Sequence, residues 1–343
     1  MSTPKRIGLM GCGMVAQYGH IPAIQSVPSL QLHALFDPNE DNLRKTQARF
    51  GIPHAFTDAE AFFKSGLDGV SITSPAPCHH DNVMQAAAHR IPVLCEKPLA
   101  MNRAEAERMI AAMAAAGVSL YSGFCYRFSP CALKIRELVR SRAIGEVRSL
   151  RLIYNWSLHG KFTVEADGRR VIQKRREDRM LEGGPMIDCG THQIDLATFW
   201  LGSPVRSFSA KGAWVDDYQA PDHMWVHLLH ANSAHTVVEI SYSYHHTSKN
   251  RRWEFLYELI GTEGVIRYDR GTESFTVENG EGRQDLEFGP EKNFDGMYAE
   301  WARALATGSS ELLTTAGEGM RVVEIARQAT DDVIASRHAS SAP

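Results

Sequence analysis

The chain has 343 residues, 43% of them hydrophobic, and a formal net charge of −3. That length supports two domains with separate cores, and basic residues spread along a slightly acidic chain argue against a nucleic-acid partner. No run of about 18 apolar residues marks a membrane span and no leader-like segment opens the sequence. Cys12, Cys78, Cys95, Cys125, Cys131 and Cys189 form no C-x-x-C pair, so a soluble cytoplasmic protein with reduced thiols is expected.

From Arg6 to about Ser122, the runs "RIGLM", "QLHALF", "GVSIT", "IPVLC" and "GVSLYS" read as strands buried on both faces. Segments such as "DNLRKTQARF" and "HDNVMQAAAHR" between them carry apolar residues every three or four positions. Strand and helix in alternation predict a parallel α/β sheet. After a helix in "SPCALKIRELVRS", long stretches of alternating polarity follow, among them "EVRSLRLIYNWSL", "RSFSAKGAWV", "HMWVHLLH", "HTVVEISYSY", "RWEFLYELI" and "GVIRYD". They predict a mainly antiparallel sheet with one covered face. Helical patterns interrupt it at "GPMIDCGTHQIDLATFWLG" and close the chain at "NFDGMYAEWARALAT" and "TAGEGMRVVEIARQATDDVIAS".

The first strand runs into "GCGMVA", Gly11 to Ala16. Gly11 permits a sharp turn, Gly13 lets backbone approach a pyrophosphate, and Ala16 lets the following helix pack tightly with its N–H groups toward the anion. Cys12, Met14 and Val15 complete that loop. The second strand ends in Asp37, 26 residues after Gly11. A carboxylate there accepts both hydroxyls of an adenosine ribose and repels a 2′-phosphate, which favours NAD; Arg44 and Lys45 nearby leave NADP open.

With "SPAPCHH" (74–80), "VLCEKPLA" (93–100) and "GGPMIDCGTHQID" (183–195), the chain resembles the Gfo/Idh/MocA family, the glucose-fructose oxidoreductase and inositol dehydrogenase group. The resemblance implies a fold of the α/β plus α+β class. A Rossmann-type dinucleotide-binding domain would occupy 1–125, an open-faced antiparallel sheet domain for substrate and oligomerisation 126–337, and a frayed tail 338–343. It implies hydride transfer between nicotinamide and a secondary alcohol of a sugar, cyclic polyol or related compound, in a homodimer or homotetramer. Lys97, Asp188 and His192 would be catalytic. Ser74, Pro75, His79, Glu96, Lys97 and Cys125 would join the glycine loop and Asp37 at the cofactor, with Cys125 where the family often has asparagine. Apart from the resemblance, Arg127, Asn155 and Trp156 are further candidates to meet substrate beside Lys97, Asp188 and His192. The resemblance also allows a cis Lys97-Pro98 peptide.

The residue types fit that chemistry. Asp188 and His192 are four apart on a predicted helix and share a face, and a carboxylate beside an imidazole fixes its tautomer and raises its basicity. Lys97 places positive charge where an alkoxide develops. A redox-neutral, NAD-dependent glycoside-cleaving enzyme would use the same residues, whereas an NAD-binding regulatory protein without catalysis would use the fold alone and leave Lys97, Asp188 and His192 without a role.

"GKFTVEADGRRVIQKRREDR" (160–179) carries seven basic and four acidic side chains. It reads as a solvated loop, with a lid for an anionic substrate such as a uronate as the alternative. His223, His227, His230 and His235 lack acidic or cysteine partners at ligand spacing, so no metal site is expected. His159, His245 and His246 join Trp156 as candidates for a substrate cleft.

Overall fold

The computed structural model describes residues 3–340, with side chains through 337. It divides into two compact units, Met1–Ser129 with Lys292–Val323, and Pro130–Glu291 with Glu324–Pro343.

In the first unit, six parallel strands follow in chain order: β1 (Lys5–Met10), β2 (Leu30–Phe36), β3 (His54–Phe56), β4 (Gly69–Ile72), β5 (Val93–Glu96) and β6 (Leu120–Gly123). Their spatial order is 3-2-1-4-5-6, with Thr314–Thr315 added antiparallel at the β6 edge. β4 is buried at all four positions because helices cover both sheet faces. Helices between the strands start on side-chain caps: Asn39 accepts from the Asn42 amide, Asp58 from Ala61 and Asn102 from Glu105. Each cap is worth about 1 kcal/mol. The strand order reverses between β1 and β4, and the crevice at their C-terminal ends is where such sheets bind ligands. The return of 292–323 to this unit, through the helix Phe294–Thr307, differs from the sequence-based division at residue 125.

The second unit is built on an eight-stranded sheet. β7 (Val147–Asn155) stands near its middle, flanked on one side by Glu254–Gly261 and on the other by His235–Ser241. Its pairing with His235–Ser241 is parallel, and every other pairing in the sheet is antiparallel. Two outer strands, Ser274–Asn279 and Gly282–Asp285, extend it beyond the six patterned stretches. Burial alternates along His223–His230, with Met224, Val226 and Leu228 inward. A helix, Thr191–Leu201, packs on the inner face, where Trp200 meets Tyr257 at 5.0 Å and donates its indole N–H to Ala132 O at 2.9 Å. The last helix runs Ala316–Ser340, through half of the segment expected to fray; 341–343 lie outside the described residues.

Candidate active site

In the first unit, every cofactor candidate follows the C-terminal end of a parallel strand: Gly11 after β1, Asp37 after β2, Ser74 after β4, Glu96 and Lys97 at β5, and Cys125 after β6. Gly11 has φ +104°, and a Cβ there would lie 2.6 Å from Ser74 N and 2.7 Å from Ser74 Cα. Gly13 faces open space, with nothing within 4 Å of a Cβ. Beside the loop, a cleft of about 310 Å3 is lined by Cys12, Gly13, Met14, Gln17, Asn42 and Arg49. Val15 opens the helical run with no side-chain cap, and Ala16 is buried. These features fit a bound pyrophosphate: tight backbone at Gly11, room at Gly13 and helix N–H groups beyond.

Asp37 corrects one expectation. Its Oδ2 accepts the Cys12 amide at 2.8 Å and the Asn42 amide side chain at 3.0 Å, and its Oδ1 accepts the Asn39 N–H at 2.9 Å. Three of a carboxylate's roughly four acceptor positions are filled, so room remains for one ribose hydroxyl at Oδ1, not two. Asp37 therefore also braces the glycine loop. Asp37→Ala is expected to weaken NAD binding about tenfold to a hundredfold, the loss of charge-assisted hydrogen bonds, without gaining NADP; calorimetric titration with both nucleotides checks this. Arg44 and Lys45 pair with Glu40 and Asp41 along their own helix, which favours the NAD reading.

Ser74 Oγ accepts from Asn82 at 2.8 Å, and Pro75 starts the turn Ala76–Cys78. The His79 ring lies 2.9 Å from both Pro98 O and Ser74 O, and as a neutral imidazole it donates to one of these two carbonyls. The Lys97-Pro98 peptide is cis. Glu96 Oε2 accepts the Lys97 amide at 3.0 Å. Burial, then the Glu96 charge, pushes the Cys125 thiol up to about 12, so it stays protonated. Arg127 is not presented to a ligand: it is 2% exposed and reaches Leu312 O and Glu318 across its own unit.

Burial depresses His79, and likewise His230 in the second sheet, below the ordinary 6.5. A depressed folded pKa contributes stability that is complete above the unfolded value and is lost as pH falls through the folded one. The thermal midpoint is therefore expected to be level above pH 7 and to fall from about 6.5 downward, as a fluorimetric melt across pH 5–8 would record.

In the second unit, Asp188 lies in a π turn, Met186–Gly190, and His192 in the α-helix that follows. The four-residue spacing thus crosses a junction of two helical types. π turns recur at functional sites, and the other π segment among the described residues, Ala16–His20, follows the glycine loop. Asp188 Oδ2 accepts the Tyr242 phenol at 2.5 Å and the Cys189 thiol at 3.6 Å, and faces Arg179 Nε at 3.9 Å. Burial, then the Asp188 charge, holds the Tyr242 phenol well above its ordinary pKa, so it remains a donor. His192 and Asp195 are both buried.

Trp156 belongs to the same neighbourhood. Its ring stacks on Tyr154 at 5.5 Å and meets Tyr242, His159 and Trp253 edge-on at 5.9, 5.7 and 6.1 Å. Asn155, one residue earlier, points to the opposite sheet face and gives its amide to Glu239 and Glu254. A strand's alternation separates it from Tyr154, on which Trp156 stacks, and it leaves the set of ligand candidates. His246 is buried against Asp216 and Ser243 O.

The charged stretch 160–179 is not a solvated loop. It forms a hairpin, Phe162–Val164 with Arg170–Ile172, and a helix, Lys174–Leu181. Arg176 in that helix is wholly buried, donating to Tyr218 Oη at 2.9 Å, Tyr242 O at 2.5 Å, Ser157 O at 3.3 Å and Ser243 Oγ at 2.6 Å. Buried Asp222 lies 3.7 Å away. Removing one partner strands the other charge, so Arg176→Leu is expected to cost about 3–5 kcal/mol in denaturant unfolding.

Residues 5–124 match the model of the Gfo/Idh/MocA oxidoreductases, described as having an NAD-binding Rossmann fold, and 132–267 match that family's C-terminal domain. The chain belongs to the Gfo/Idh/MocA family. It is 30% identical over 272 residues to D-apiose dehydrogenase of Paraburkholderia graminis, covering 78% of this chain and 68% of that protein. Myo-inositol 2-dehydrogenase of Thermotoga maritima is 28% identical over 213 residues, 62% of this chain and 59% of that one. An oxidoreductase from Agrobacterium radiobacter, crystallised with NAD+, L-tartaric acid and magnesium, superposes with a TM-score of 0.82 at 21% identity, covering 98% and 97% of the two chains, a likeness of fold.

Within this Gfo/Idh/MocA chain the sequence reading missed Tyr242 and Arg179 around Asp188, the buried Arg176 beyond them, and His20 and Tyr298 behind Glu96. The apolar Met180, four positions after Arg176 at the end of the charged run, is the local sign that the 174–181 helix has a buried face.

Proposed function

We propose that this protein transfers hydride between a secondary alcohol of a sugar, cyclic polyol or related compound and NAD. The observation that carries the reading is the gathering of the glycine loop, Asp37, Ser74 and the Glu96-Lys97 turn at the C-terminal ends of one parallel sheet, around its switch point. NAD, when bound, supplies the hydride acceptor. His192 takes the hydroxyl proton, and Asp188, held by Tyr242, fixes the imidazole tautomer. Lys97 offers its ammonium to the oxygen that gains charge. Trp156 supplies an aromatic wall suited to the apolar face of a sugar ring.

Free cysteines at all six positions support a reducing, cytoplasmic setting, and among the described residues no helix is long and apolar enough to cross a membrane. Half-buried Trp225 and Val237 on the outer sheet face support association into a homodimer or homotetramer. Light scattering at 38.2 kDa at every concentration contradicts that part. The function is tested by titrating NAD and NADP, then assaying NADH with D-apiose, myo-inositol, D-xylose and a methyl glucoside. Tight NAD binding and NADH growth on one of them is expected. Steady glycoside cleavage without net NADH contradicts it.

A further inference from the structure

Behind Lys97 runs a buried chain of polar groups that the proton transfer above leaves unused. Ser71 Oγ stands 2.5 Å from Tyr298 Oη, Tyr298 Oη 2.7 Å from His20 Nδ1, and His20 Nε2 2.9 Å from Glu96 Oε1. Glu96 Oε2 then accepts the Lys97 amide. Ser71, His20 and Tyr298 are at most 1% exposed, so solvent does not satisfy them.

The order of donors follows from the groups. A carboxylate only accepts, and a neutral imidazole has one donor and one acceptor nitrogen. His20 Nε2–H therefore faces Glu96 in a bent contact, Nδ1 accepts the Tyr298 phenol, and the phenol oxygen accepts the Ser71 hydroxyl. The opposite tautomer would turn a lone pair on the carboxylate. Packing fixes the ring as well: Phe294 lies 4.9 Å and Tyr298 5.7 Å from it, and a Cβ on Gly19 would strike Phe294 at 2.8 Å.

We propose that His20 and Tyr298 are positioning residues for Lys97, acting through Glu96. The inference rests on the reading of Lys97 as the residue beside the reacting hydroxyl. Ser71 and Tyr298 select the His20 tautomer, His20 holds one carboxylate oxygen of Glu96, and the other oxygen sets the Lys97 backbone. Titratable groups around Glu96 are His20, His79, Lys97, Cys95, Cys125 and Tyr298. Burial pushes Glu96 up, but the contact of His20 and the charge of Lys97 bring it below the usual range. Glu96 thus stays ionised beside Lys97.

The test uses the full-length chain with NAD and follows the Lys97 ammonium by 13Cε-lysine NMR, assigned with Lys97→Arg. Tyr298→Phe and His20→Ala are expected to move its titration by more than about half a pH unit. His20→Gln, which keeps a donor toward Glu96, should restore it. At pH 8 the 15N spectrum should show His20 as the Nε2–H tautomer in the native chain and lose that signature in Tyr298→Phe. Where Tyr298→Phe does not fold, Ser71→Ala removes only the last donor. An unmoved Lys97 titration in folded Tyr298→Phe and His20→Ala, with the melting temperature alone reduced, overturns the inference. Full turnover in Lys97→Ala instead defeats the catalytic reading, whatever the titrations show.

Discussion

Lys97→Ala is expected to lower NADH formation about a thousandfold or more while leaving the affinity for NAD within about threefold. In the proposed reading the glycine loop and Asp37 would hold the adenosine and pyrophosphate end, far along the cofactor from the reacting carbon. The Lys97 ammonium matters most when the substrate oxygen gains charge, so its loss falls on kcat and less on ground-state binding. His192→Ala should lose about a hundredfold to ten-thousandfold, the range for a removed general base. Initial rates and a binding titration on both variants check the pair. Equal rates in native chain and variants would exclude both roles.

Gly11→Ala carries the second large effect. A side chain at φ +104° is strained by about 1–3 kcal/mol, and the new Cβ would meet Ser74 backbone at 2.6 and 2.7 Å, where no flexible side-chain end can yield. The loops after β1 and β4 would have to part. The expected result is a lower melting temperature together with NAD binding weakened more than about tenfold. Gly13→Ala separates space from strain: it meets nothing in the protein and its φ is ordinary. It should keep the native melting temperature and still weaken NAD, because in the proposed reading the room it fills is where a pyrophosphate would approach. A Gly13→Ala chain that binds NAD normally would place the pyrophosphate elsewhere.

Much of this architecture is legible in the sequence because burial on two faces and burial on one leave different patterns. The continuous apolar runs of β1, β4 and β5 announce a parallel sheet, and the alternation in "HMWVHLLH" announces a sheet with one covered face. His54–Phe56 escapes because three residues, one exposed and two half-buried, carry no periodicity. Ser274–Asn279 escapes because its strand is short and polar at both ends. The motifs lead to Gly11, Asp37, Ser74, Lys97, Asp188 and His192. They say nothing of contacts made at long range. His20 and Tyr298 are 278 positions apart, and Tyr298 belongs to a segment whose return to the first unit leaves no local trace. Arg176 misleads for a different reason: a run of charges is ordinarily a solvated face, and only its hydrogen bonds to Tyr242 O, Ser157 O and Ser243 show it to be a buried clamp. Arg127 and Asn155 sit beside motif residues in sequence, yet the turn of a loop and the alternation of a strand direct them elsewhere.

The most direct measurement supplies the chain with NAD and a substrate from the panel deuterated at the carbinol carbon, then locates the isotope by NMR and mass spectrometry. The account predicts one deuterium at the nicotinamide C4 of each NADH formed, with a ketone or lactone produced in equal amount, and neither product in Lys97→Ala. Substrate consumed with no deuterium in accumulated NADH, or with the isotope returned to a cleaved sugar, would contradict net oxidation of the alcohol.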